Sequence, residues 1–142
     1  MSTLARKCVP FTPFEGRLEK STVAIVTAGG VHLKDQEPFN IADELGDLGY
    51  RIIPPDADSS ALMVTHHHYD HTDADQDINV VFPLDVLRDL EAEGFIGGIA
   101  KKHIGYMGYT MQLKAMYEGT APEIANEIDR GSRADLVLLT GG

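Results

Sequence analysis

Thr22-Val23-Ala24-Ile25-Val26-Thr27, closed by Ala28-Gly29-Gly30, is the stretch on which the fold turns. The run is short, apolar and rich in β-branched side chains, and glycines bound it, so it reads as an interior strand. Working outward, Tyr50-Arg51-Ile52-Ile53 is a second short strand, stopped by Pro54-Pro55. Ala61-Leu62-Met63-Val64-Thr65 is a third apolar run, leading into His66-His67-His68-Tyr69-Asp70-His71 and an acidic loop, and Ile78-Asn79-Val80-Val81-Phe82 follows. Pro83 suits the first turn of a helix whose apolar face is Leu84, Val86, Leu87 and Leu90, with Gly94 as its stop. Phe95-Ile96-Gly97-Gly98-Ile99-Ala100 reads as another interior strand, and residues from about Thr110 to Tyr117 as helical. Thr120 and Glu123 fit a capping box for a last helix, with Pro122 in its first turn and an end near Gly131. Asp135-Leu136-Val137-Leu138-Leu139-Thr140, ahead of Gly141-Gly142, reads as a final buried strand.

Strands alternating with helices predict an α/β fold: an open, mainly parallel sheet with helices on both faces, Rossmann-like or flavodoxin-like. A parallel strand is ordinarily followed by a crossover helix and a further strand, so the fold is expected to be incomplete at the C-terminus. Residues 1–21 read as an N-terminal arm and residues 22–142 as the N-terminal part of a single domain. At 142 residues the chain holds one domain and can bury a real core. Twelve Lys and Arg against 22 Asp and Glu give a net charge of −10, which repels phosphate backbones and argues against a nucleic-acid partner. No apolar run approaches the roughly 20 residues that span a bilayer, so no membrane association is expected. The single Cys8 cannot form an internal disulfide and fits a reducing cytoplasm.

Two strands leave the sheet in the same way, Thr27-Ala28-Gly29-Gly30 and Thr140-Gly141-Gly142. In open α/β sheets ligands bind just beyond the carboxyl ends of the strands. Gly29, Gly30, Thr140, Gly141 and Gly142 are therefore candidate substrate-site loops; the plain alternative is two tight turns. His66-x-His68-x-Asp70-His71 has the spacing of the metal motif of the metallo-β-lactamase fold, which makes a zinc-dependent hydrolase fragment an alternative with those four side chains as ligands. Such a site needs further ligands from later strands, and the only later histidine is His103. The same loop also reads as a solvated polar turn, or as the source of one proton donor, His66 above all. A non-catalytic α/β binding module is the third reading.

Taken in order, several segments resemble one family: Thr27–Lys34, Tyr50–Pro54, His66 with Tyr69-Asp70, and Asp77-Ile78-Asn79. Phe82-Pro83-Leu84-Asp85, Glu93–Ile96, His103–Gly108 and Ala134–Thr140 complete the series. The chain resembles the selenoprotein B family of glycine, sarcosine, betaine and D-proline reductases, and most of all its D-proline branch, from about Cys8 to the last residue. The resemblance implies a selenocysteine immediately after Gly142, at a codon that normally means stop. The 142 residues would then be a truncated and inactive product. It also implies the chemistry. A selenolate attacks a carbon beside an activated amine, the C–N bond of a small amino-acid substrate is cleaved reductively, and a neighbouring thiol resolves the selenium. Dithiols, of the thioredoxin type, supply the electrons. A pyruvoyl group on a partner subunit activates the amine, so no cofactor is expected in this chain itself. His32, His66 and His103, at or near predicted strand ends, are the candidates for the proton donor at the rim of the site. The family pattern carries His66 and the Tyr69-Asp70 pair without requiring His67, His68 or His71, which counts against the zinc alternative.

Overall fold

The computed structural model describes residues 13–142. Most of the expected N-terminal arm, including Cys8, lies outside the described residues. β1 (Thr22–Thr27) is the axis of the molecule. Its side chains alternate between two cores. Val23 and Ile25 pack with Phe82, Leu84 and Leu87 on one face. Ala24 and Val26 pack with Ile104, Ile124 and Ile128 on the other. A strand buried on both faces explains the unbroken apolar run in the sequence.

On one side of β1 lies β7 (Leu136–Thr140), parallel and in register from Val23↔Leu136 to Thr27↔Thr140. On the other side lie two short parallel pieces, β5 (Gly98–Ile99) and β6 (His103–Tyr106). β1 advances from Val23 to Val26 while this neighbour advances from Ile99 to Ile104, two residues further, so the neighbour carries a bulge at residues 100–102. β3 (Tyr50–Ile53) closes that edge, antiparallel to β6. Helices cover both faces. α1 (Thr72–Gln76) and α2 (Leu84–Ala92) are on one side. A continuous helical stretch over residues 113–132, holding α3 (Leu113–Ala115) and α4 (Ala121–Asn126), is on the other. This is the expected α/β architecture. A separate antiparallel ribbon of β2 (Val31–Leu33) and β4 (Leu62–Val64) stands beyond the end of β1.

Several local expectations are corrected. The segment after the acidic loop, given no element from the sequence, opens with a single 3-10 turn, Ile78–Val80, seated on the Asp77 carboxylate, which accepts from Asn79 N at 3.0 Å. Val86 is exposed, because α2 turns only Leu84, Leu87 and Leu90 onto the sheet. Within 95–100 only Gly98–Ile99 is strand; Phe95 is exposed, and Gly97 N donates to Leu18 O and Ser21 O where the preceding turn crosses it. Thr120 caps nothing. It lies inside the helical stretch, and its hydroxyl donates to Leu48 O at 2.8 Å. Pro122 has no N–H to offer a preceding carbonyl, and the wide i→i+5 turn at Met116–Thr120 accommodates it. β7 is an edge strand rather than a buried one, with Leu139 74% exposed, since it pairs on one side only. Among the described residues no helix is long and apolar enough to cross a membrane.

Candidate functional site

The carboxyl ends of β1, β6 and β7 meet the loop that follows β4, and there the predicted site segments come together. β1 exits through Ala28, whose N–H donates to Thr140 O (2.9 Å), and Gly30, whose N–H donates to Tyr106 O (3.0 Å). Gly30 has φ +71°, and a Cβ there would stand 2.5 Å from Thr65 O, so the turn into β2 requires glycine. Thr65 N–H then donates back to Gly30 O (2.9 Å), which fixes the start of the histidine loop beside the exit of β1. The two strand-end threonines do not point to a ligand. Thr27 Oγ1 accepts from Gly29 N (3.1 Å), and Thr140 Oγ1 donates to Val81 O (2.6 Å).

His66 is 8% exposed. Its Nδ1 accepts from His68 N–H at 3.0 Å, so in the neutral ring the proton sits on Nε2. Burial, and then the neighbouring His68, His67 and His71, hold its pKa below the ordinary imidazole value. Its ring lies 4.8 Å from that of Tyr69, edge to face. The Tyr69 hydroxyl donates to Gly29 O at 2.8 Å, and burial raises its pKa, with a smaller contribution from Asp75. Gly142 rests against the Tyr69 ring, so closely that a Cβ at 142 would overlap ring atoms. Tyr69 thus joins Gly29, Gly142 and His66. Its presence in the matched Tyr69-Asp70 pair was the one signal of it in the sequence, and its role as the link was not legible there.

The other two candidate histidines are elsewhere. His32 is 1% exposed inside the ribbon: Nδ1–H donates to Leu33 O and, in the neutral ring, Nε2 accepts from the Thr65 hydroxyl, both at 2.7 Å. Both nitrogens are taken, Nε2 by the Thr65 hydroxyl beside the exit of β1. His103 is fully buried in the sheet. At the bulge its Nδ1 accepts the Ile25 N–H (2.9 Å) in place of a backbone carbonyl. Nε2 therefore carries the proton in the neutral ring, and among the described residues it has no partner. Burial, with the Arg88 charge second, lowers its pKa to about 4. His103 is a component of the core, not of a rim.

The alternative zinc ligands do not converge. His68 stacks on Tyr109 with centroids 3.4 Å apart, His71 pairs with Asp75, and Asp70 accepts from Thr72. His66 and His68 stand 5.9 Å apart at right angles. Among the described residues no three His, Cys, Asp or Glu side chains are placed to hold a metal. What the site does offer is a largely buried imidazole, His66, packed against the Gly30 turn, with a group suited to hydrogen bonding or proton transfer.

The family model described as glycine/sarcosine/betaine reductase selenoprotein B matches residues 4–141. D-proline reductase subunit gamma of Acetoanaerobium sticklandii is 45% identical over 132 residues, 93% of this chain and 53% of that protein. The glycine reductase complex component B subunit gamma of Carboxydothermus hydrogenoformans is 35% identical over 136 residues, 93% of this chain and 30% of that protein. The sarcosine reductase complex component B subunit beta of Peptoclostridium acidaminophilum is 36% identical over 102 residues, 70% of this chain and 23% of that protein. The chain thus spans about half, or less, of the length of these relatives. No solved structure matches it significantly.

Proposed function

The chain belongs to the glycine/sarcosine/betaine reductase selenoprotein B family, and from that premise we propose that it is the N-terminal part of a selenium-dependent reductase-complex subunit. The subunit would cleave a C–N bond of a small amino acid or its derivative reductively, in a reducing cytoplasm, with a dithiol donor and a partner subunit that activates the amine through a pyruvoyl group. Matched relatives carry the names of reductase-complex subunits, and the chain's share of their length leaves room for a continuation after Gly142. The observation that carries the reading is the seat of Gly142 on Tyr69 beside His66. A selenocysteine at the next position would emerge at a sheet exit with an imidazole at hand.

A selenol there would supply the nucleophile, and this chain's residues would prepare its surroundings. Tyr69 would shield one side of it. His66, neutral in the free protein, offers Nε2–H as a hydrogen-bond donor to an anionic atom. A substrate carboxylate brought beside His66 raises its pKa, because an opposite charge favours the charged form. The imidazolium so formed is the acid that protonates the leaving amine. His32, hydrogen-bonded at both nitrogens, and His103, buried in the sheet, are left out of this reading. The test is the nucleotide sequence after the Gly142 codon, followed by assay of the read-through product. UGA, a stem-loop, a nearby cysteine codon and an amphipathic helix are expected. Assembled with its partner subunit, the read-through product should reduce D-proline or a related amine with dithiothreitol, the His66→Asn variant should be impaired, and the 142-residue product should be inactive. UAA with no coding sequence beyond it, or reductase activity in the 142-residue product, refutes the proposal.

A further inference from the structure

We infer that Tyr69 is the positioning residue of this site, holding the exit of β7 and the His66 imidazole in fixed relation; its catalytic consequence rests on the function proposed above. Three contacts converge on this one side chain. Its hydroxyl is tied to Gly29 O at 2.8 Å, which anchors it to the exit of the central strand. One part of its ring supports Gly142. The same ring meets His66 edge to face at 4.8 Å. The ring is itself braced by His71, at 5.7 Å. The exit of β7 is further tied to β1 and the Val81 turn by Ala28 N–H→Thr140 O (2.9 Å) and Thr140 Oγ1→Val81 O (2.6 Å). The backbone of β7 therefore arrives at a set height, and Tyr69 directs the chain from there. Only a residue without Cβ can lie flat on the ring, which accounts for glycine at 142. A planar support of this kind limits where residue 143 can go and keeps His66 from rotating away. Positioning of this type matters because misplacement by about 1 Å costs on the order of 10²-fold in rate.

Two arms test it. In the 142-residue chain, NMR reads the Gly142 α-proton shift, which the Tyr69 ring current moves upfield, and the titration of His66. Tyr69→Leu should abolish the upfield shift and bring the His66 pKa up toward its ordinary value, whereas Tyr69→Phe keeps both. In the read-through product, Tyr69→Leu should lower kcat by about 10²-fold with KM within about twofold, after correction for the folded fraction from a thermal melt. Tyr69→Phe, which loses one hydrogen bond, should lower kcat by about fivefold. Unchanged Gly142 and His66 signals in Tyr69→Leu overturn the inference, as does a kcat loss that the unfolded fraction accounts for. A wild-type read-through product without reductase activity when assembled with its partner subunit refutes the proposed function alone, and the NMR arm then decides the role of Tyr69.

Discussion

Acid should loosen this fold through one buried imidazole. His103 is fully buried, accepts Ile25 N–H at Nδ1, and leaves Nε2–H without a partner among the described residues. Protonation would add a second N–H at Nδ1, directly against the Ile25 donor. In the unfolded chain the ring titrates at its ordinary 6.5; in the fold the value is about 4. The unfolded state therefore binds more protons across that window. The contribution of His103 to stability is complete above pH 6.5 and is lost as pH falls to 4. At 1.36 kcal/mol per pKa unit the difference is about 3 kcal/mol, a large share of the roughly 5–15 kcal/mol typical of a domain. His66, also lowered, adds in the same direction, and carboxylates such as Asp85 contribute at the acidic end. Both are cancelled by comparison with His103→Asn, whose side-chain oxygen can accept from Ile25 N–H and does not titrate. Urea unfolding at pH 7.5, 6.5, 5.5, 4.5 and 4 gives the two curves. The variant should start about 1–2 kcal/mol lower at pH 7.5 because of the space it leaves. The gap should then close and reverse as the wild type falls by about 3 kcal/mol more than the variant. Parallel curves would refute this account of His103.

Three further outcomes are expected. Gly30→Ala should destabilise the fold by about 2 kcal/mol or more by urea unfolding, since φ +71° and the approach to Thr65 O both oppose a Cβ. Asp85 accepts from the Ser59 hydroxyl, from Asn79 Nδ2 (3.1 Å) and from Arg88 Nη1 (2.5 Å); Asp85→Ala should cost about 1–3 kcal/mol, and Asp85→Asn less, read as thermal midpoints. His68→Ala removes an exposed ring that stacks on Tyr109 and touches the His66 and His67 rings, so it should cost about 1 kcal/mol or less, and the melting temperature of neither protein should rise on adding equimolar zinc.

Much of the architecture was legible because β1, α2 and β7 announce themselves by local rules: an unbroken apolar run, a 3.6-residue apolar spacing with a glycine stop, a glycine exit. The rest was not legible because it came from pairing at a distance. Nothing within Phe95–Ala100 says that Phe95 and Ile96 donate to Leu90 O and Gly97 to Leu18 O and Ser21 O, which leaves only two residues to pair as strand. Nothing near Thr120 says that Leu48 O captures its hydroxyl. The burial of β7 was overestimated because apolar composition does not tell an edge from a centre. The site shows the same division. Glycines 29, 30 and 142 and His66 were named from strand ends and do meet, but a histidine at a strand end can equally point inward, as His32 and His103 do. Tyr69 acts through both its hydroxyl and its ring, and neither role leaves a mark in residue spacing.

The partnership of β1 with β7 also sets the order of assembly. Thr22 and Asp135 are hydrogen-bonded across 113 residues of chain. A growing polypeptide thus carries its most apolar strand for a long time with one flank uncovered, until the residues around 140 have emerged. β6 can dock earlier on the opposite flank; β7 cannot be hurried. Closing so large a loop is slow relative to forming local turns. Any pause in translation shortly after residue 140 leaves the ribosome would coincide with the moment when the central strand first acquires its second neighbour.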